Sequence, residues 1–124
     1  MANTHFTGPV YSNNGFVGDI IGSNTGITIG SVQALSGAGA VNITTSVTEL
    51  TTTGASQALT LANGVDGQFK TIVHVVDGGS AVLTPTTKIG FSTITFTNVG
   101  DSAQLVYTAT TGWAVVGSKG VTIA

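Results

Sequence analysis

Between Gln57 and Gly79 the chain reads QALTLANGVDGQFKTIVHVVDGG, and no other stretch restricts the possible folds so strongly. The pattern is a strand, a tight Asn/Asp/Gly connection, a longer strand and a second turn at Asp77-Gly78-Gly79. In Gln57–Ala62 the large apolar side chains, Leu59 and Leu61, fall on one face, as a half-buried strand requires. The run Phe69–Val76 is apolar on both faces. Phe69, Val73 and Val75 point one way, while Ile72, His74 and Val76 point the other. Such a strand must be covered on both sides, inside a sandwich or against another subunit. It is therefore expected to be the central strand.

Residues 1–40 have weak periodicity and many breakers, among them Gly8-Pro9, Asn13-Asn14-Gly15 and a glycine at 18, 22, 26, 30, 37 and 39. Apolar residues are spaced between them. Pro9 interrupts any helix and prefers an extended context, and Asn13-Asn14-Gly15 is turn chemistry. This pattern predicts an extended N-terminal arm whose aromatic and branched side chains need an external cover. Ser36-Gly37-Ala38-Gly39-Ala40 is expected to be a hinge.

From Val41 a second unit, 41–124, is expected. Val41, Ile43 and Val47 share one face of a strand that Thr51-Thr52-Thr53-Gly54 closes. After the central pair, Ser80–Thr84 gives a short strand ended by Pro85, since proline cannot donate to a ladder. Ser92–Val99, Gln104–Ala109 and Trp113–Gly117 follow, separated by turns at Gly100-Asp101-Ser102 and Thr110-Thr111-Gly112, and Val121–Ala124 can add an edge strand or tail. No stretch carries helical spacing over ten or more residues. About seven short strands with regular turns predict an all-β fold, a small antiparallel sandwich or barrel.

Composition narrows function by exclusion. Charged residues are 6% of the 124, there is no arginine, and the formal net charge is -2. An average domain is about a quarter charged. Without a basic cluster the chain lacks the footprint of a nucleic-acid binder or of a polybasic membrane anchor. No apolar run approaches the roughly 20 residues that span a bilayer, and MANTHFTGPV does not read as a signal peptide. Cysteine is absent, which removes disulfides and thiolate metal sites. The Thr, Ser, Asn and Gly that replace charge make a polar surface with little repulsion between copies, suited to packing against copies or a partner.

Catalysis needs converging polar groups with tuned pKa values, and this inventory is thin. His74 lies on the central strand with no second His near it in sequence, and reads best as a core or interface residue. His5 belongs to the arm. Asp66, Asp77 and Asp101 each sit beside a turn glycine, where Asp is ordinary turn chemistry, and their spacing matches no calcium loop. No phosphate-binding glycine motif or Gly-x-Ser-x-Gly elbow occurs. Tyr107 and Trp113 could stack on a sugar, but alternation places both among apolar neighbours, as core residues. No cofactor or metal is expected.

Several short motifs, taken in order, resemble a β module of tailed-bacteriophage structural proteins. They are Ala58-Leu59-Thr60-Leu61-Ala62-Asn63-Gly64-Val65-Asp66-Gly67-Gln68, then Val76-Asp77-Gly78-Gly79, Leu83-Thr84-Pro85, Ile94-Thr95-Phe96, Val99-Gly100-Asp101-Ser102 and Gly112-Trp113-Ala114-Val115-Val116-Gly117. Phe6-Thr7-Gly8-Pro9-Val10 with Asn14-Gly15-Phe16 is similar to the opening of phage head-decoration and fibre proteins. The resemblance implies a virion component, made in the host bacterial cytoplasm, that forms homotrimers and sits on the capsid surface or on a fibre. Decoration (cement) proteins of this kind clamp the major capsid protein, often through an extended arm.

The leading expectation is thus a capsid decoration protein that stabilises the shell. Burial logic assigns capsid contacts to Phe6, Val10, Tyr11, Phe16 and Ile20 in the arm, and a protomer interface to Phe69, Ile72, His74 and Val76. The alternative is a tail-fibre or head-fibre module binding a host glycan or receptor, weakened by turns that lack exposed aromatics. A small hydrolase stands third, because one useful His cannot supply a His/Asp/Ser constellation.

Overall fold

The computed structural model describes residues 31–124, together with Thr7. The described chain is all-β, with ten strands: β1 (Val32–Ser36), β2 (Gly39–Val41), β3 (Val47–Thr51), β4 (Gln57–Leu61), β5 (Phe69–Val76), β6 (Ala81–Pro85), β7 (Ile94–Phe96), β8 (Ser102–Thr108), β9 (Gly112–Lys119) and β10 (Thr122–Ile123). They form two five-stranded sheets packed as a small sandwich. The first sheet has the order β1-β3-β5-β8-β9, and the second β10-β7-β6-β4-β2. As the two-faced sequence of Phe69–Val76 predicts, β5 is the central strand of the first sheet.

The pairings are mixed rather than wholly antiparallel. From β1 to β6 the chain alternates between sheets, so each strand lies parallel to the one two places earlier: β1 with β3, β3 with β5, β2 with β4 and β4 with β6. A parallel neighbour needs a long crossover, and here the crossover is the intervening strand in the opposite sheet. After β6 the chain turns back on itself, and β5–β8, β8–β9, β6–β7 and β7–β10 are antiparallel. The fold is a short coil of parallel strands closed at its C-terminal end by antiparallel ones.

Two boundaries differ from the sequence reading. Residues 32–41, assigned above to arm and hinge, belong to the sheets as β1 and β2. Gly37 adopts φ 77, a left-handed conformation that glycine reaches without steric cost, so the chain makes a tight corner between the sheets instead of a hinge. The second difference is Val41–Thr48, read as one strand. Val41 ends β2 in the second sheet and Val47 begins β3 in the first. Asn42 caps the crossing loop, its Oδ1 accepting from the Thr45 N–H at 3.1 Å and from the Thr45 hydroxyl at 2.7 Å. Asn and Thr favour such local bonds over a ladder.

Alternation then fills the space between the sheets. Leu50, Ile72, Ala103, Leu105, Tyr107 and Trp113 come from the first sheet, and Val41, Leu59, Leu61, Ala81, Leu83, Ile94 and Phe96 from the second. Burying such side chains is worth roughly 1.5–3 kcal/mol for each large one. In a chain with no cysteine this core carries the stability.

Candidate interaction surface

The inward face of β5 carries Lys70, Ile72 and His74, all fully buried. His74 Nε2 lies 3.0 Å from the Thr52 hydroxyl, which accepts from the Gly78 N–H at 2.8 Å and donates to the Gly79 carbonyl at 2.7 Å. With the hydroxyl proton committed to Gly79, Nε2 is the donor to Thr52, and the imidazole proton is assigned to that nitrogen. Nδ1 has no hydrogen-bond partner. Through the backbone, His74 donates to Asp101 O and accepts from Gly100 N–H, both at 2.8 Å. The side chain thus ties β5 to the start of the β3–β4 connection and, through Thr52, to the β5–β6 turn.

Asp101 closes the next turn. Its Oδ2 accepts from the Thr97 N–H at 2.8 Å and the Asn98 N–H at 2.9 Å. Burial pushes its carboxyl upward, but the bonds from Asn98 and Thr97, with the nearby His74 and Lys119, outweigh that and hold it below the ordinary 3.8. The other two turn aspartates are engaged in the same way. Asp77 Oδ1 accepts from the Gly79 N–H, and Asp66 Oδ1 from the Ala109 N–H. Among the described residues no group of three His, Cys, Asp or Glu is placed to hold a metal.

Lys70 is the group that sequence reasoning passed over. Its Nζ donates to Thr45 O at 2.7 Å, Thr45 Oγ1 at 3.0 Å and Asn42 Oδ1 at 3.3 Å, binding the β2–β3 loop to the central strand. Three neutral acceptors replace water but provide no counter-charge, and burial lowers the ammonium pKa to about 8. The signal was there in the parity of β5, which places residues 70, 72 and 74 on the same side. Tyr107 and Trp113 are core residues, stacked edge-on with ring centres 5.3 Å apart, and the Trp113 indole N–H donates to Ala62 O at 2.9 Å. Neither offers a sugar platform.

What reaches the surface differs sharply between the sheets. The second sheet presents Ala40, Ala58, Thr60, Thr84, Thr95 and Thr122, small or hydroxylated side chains that water tolerates, with Val82 among them. The first presents Val32, Val47, Phe69, Val73, Val75, Val106 and Val116 across its five strands, interspersed with the polar Glu49, Thr51, Thr71, Ser102, Gln104 and Thr108. Phe69 and Val32 are each 52% exposed and Val116 53%. Scattered exposed apolar residues need no explanation, but a contiguous face of them marks a contact surface.

Of the four residues expected at a protomer interface, Phe69 lies on this face. Val76 is 52% exposed at the end of β5, where the ladder shifts so that His74 and Val76 pair with Leu50 and Thr51. That irregularity breaks the strict alternation that grouped Val76 with Ile72. Ile72 and His74 are enclosed between the sheets and have no surface to offer a partner; their assignment to an interface is corrected. Phe6, Val10, Tyr11, Phe16 and Ile20 fall outside the described residues. Neither protein-family models nor curated proteins give any match to this chain.

Proposed function

We propose that this chain is a structural component of a bacteriophage virion, a decoration protein that binds the outside of the head as a homotrimer and stabilises the shell against the major capsid protein. The observation that carries the reading is the outer face of the first sheet. Valines from all five strands, with Phe69, reach it among polar side chains such as Thr71, Ser102 and Gln104, and it stands opposite a threonine-rich face of the same molecule. Such a surface supports a role in assembly, where binding comes from area buried in repeated contacts and from several copies acting together. The described polar groups favour the same reading, because Asp66, Asp77, Asp101 and Lys70 are each held by hydrogen bonds within the fold. The ordered motifs that resemble phage modules add the identity of the partner.

The test is co-sedimentation of purified chain with heads of the source phage stripped of it. Binding that saturates at a fixed ratio to capsid protein, and that is lost when residues 1–20 are deleted, is the expected result. Unchanged binding of the truncated chain would remove the arm from the mechanism. Immunogold labelling confined to tail tips or fibres would replace the decoration role with a receptor-binding one.

A further inference from the structure

Lys70 is an amine enclosed in the protein with an acyl group beside it. Its Nζ lies 3.3 Å from Asn42 Oδ1, and the carboxamide carbon is one bond, about 1.2 Å, from that oxygen. The pair is therefore close to the roughly 3–3.5 Å from which an amine attacks a carbonyl carbon. Thr45 organises both partners. Its N–H and its hydroxyl donate to Asn42 Oδ1 at 3.1 and 2.7 Å and polarise the carbonyl. Its own carbonyl and hydroxyl oxygens accept from Nζ at 2.7 and 3.0 Å. Lys70 is 0% exposed, so reagents in solvent do not reach it, and the acyl group within its reach is internal.

We propose that Lys70 and Asn42 join in an intramolecular isopeptide bond, formed by the folded chain itself. Nζ, as the free amine, attacks Asn42 Cγ. Charge develops on Oδ1, at which the Thr45 N–H and hydroxyl already point, as the donors of an oxyanion hole do. One proton leaves Nζ and reaches Asn42 Nδ2, with Thr45 Oγ1, 3.0 Å from Nζ, as the relay. The Nζ–Cγ bond forms, the Cγ–Nδ2 bond breaks and ammonia departs; nothing is oxidised or reduced. Burial favours the exchange twice. It lowers the ammonium pKa to about 8, which raises the share of free amine. It also makes a cation among neutral acceptors costly, and the amide product removes that charge. The product keeps the bonds already in place: its N–H donates to Thr45 O, and its carbonyl accepts from the Thr45 N–H and hydroxyl. The link ties the β2–β3 loop to the central strand across 28 residues, a covalent closure in a chain that has no cysteine. Freshly folded chain carries the free amine, and the titration of Lys70 belongs to that state. The inference holds or fails independently of head binding.

The experiment is intact mass and a tryptic map of the full chain, folded and incubated at about pH 9, where most of an amine of pKa about 8 is uncharged. Three lysines and no arginine make the map simple. The expected result is a mass lower than that of the sequence by one ammonia, with cleavage after Lys70 lost, so that 1–88 stays one piece in place of 1–70 and 71–88. N42A, K70M and the parent chain held unfolded in urea should keep the full mass. Ring closure at Asn63-Gly64 also expels ammonia, but it leaves cleavage after Lys70 intact and persists in K70M. Full mass with complete cleavage after Lys70 in the incubated chain, or a deficit that K70M retains in full, would overturn the inference. The map of the parent chain decides the case even if N42A or K70M fails to fold, because trypsin needs a free ε-amino group at Lys70.

Discussion

Asp101 and Lys70 show how a chain with so few charges uses them inside. The Asp101 carboxylate, itself 5% exposed, accepts from the Thr97 and Asn98 N–H groups of the β7–β8 turn, and D101A removes both bonds. A cost of about 2 kcal/mol is expected, read as a lower urea midpoint with an unchanged slope. The sign with pH follows from the depressed pKa. The carboxyl binds its proton less readily folded than unfolded, so its stabilisation is complete above 3.8 and is lost as pH falls through the lower folded value. D101A should therefore unfold with a flatter acid limb than the parent. Lys70 runs the other way. Its folded pKa of about 8 lies below the ordinary 10.5, so the unfolded chain holds more protons in that interval and stability rises with pH across it. K70M, which fills the same channel without a charge, should lose that rise; urea midpoints at several pH values from 7.5 to 10.5 decide it. No charge pattern in the sequence marks Lys70 as internal. Only its parity with Ile72 and His74 does, and a strand apolar on both faces gives no sign of which parity faces the core.

At the scale of elements, short-range pattern and strand position agree closely where one residue type dominates a face. Leu59 and Leu61 define β4, and the Val- and Ile-rich run defines β5, as their alternation requires. Strand direction was not legible. A hairpin and a corner between sheets both need a few residues of Gly, Asn, Asp and Thr, so the turns of a parallel coil look like those of an antiparallel meander. The error at Val41–Thr48 has the same origin, since a capped loop of Asn and Thr between two valines keeps the alternation of a strand. Candidate contacts were legible only in part, because alternation identifies two faces and the opposing sheet decides which is covered. The corners themselves are tightly specified. A Cβ on Gly78 would stand 2.4 Å from the carbonyl oxygen of Thr52, a backbone atom. G78A must push β5 and the β3–β4 connection apart and disturb the bond from Gly78 N–H to Thr52. The expected loss is about 2–4 kcal/mol, visible as a fall in melting temperature of more than about 8 °C for a domain of this size.

The whole molecule is polar in its construction. Within the described chain each sheet ends on one side in an N-terminal strand with a parallel neighbour, β1 or β2, and on the other in a C-terminal strand with an antiparallel neighbour, β9 or β10. Open edges invite pairing. Among the described residues the buried cluster runs from Val41 to Trp113, and every strand described falls between Val32 and Ile123. Residues 31–124 produced alone are expected to keep the all-β circular dichroism of the full chain and to unfold in urea in one cooperative step, with a slope of about 1–3 kcal/mol/M. Refolding should be slow, in the range of milliseconds to seconds, because each parallel pairing closes a loop that passes through the opposite sheet before any contact rewards it. A gradual, non-cooperative transition would mean that the core requires residues 1–30, and loss of head binding on arm deletion would then report unfolding. A cooperative transition makes that deletion a clean test, since the β domain would still be whole when the arm is gone.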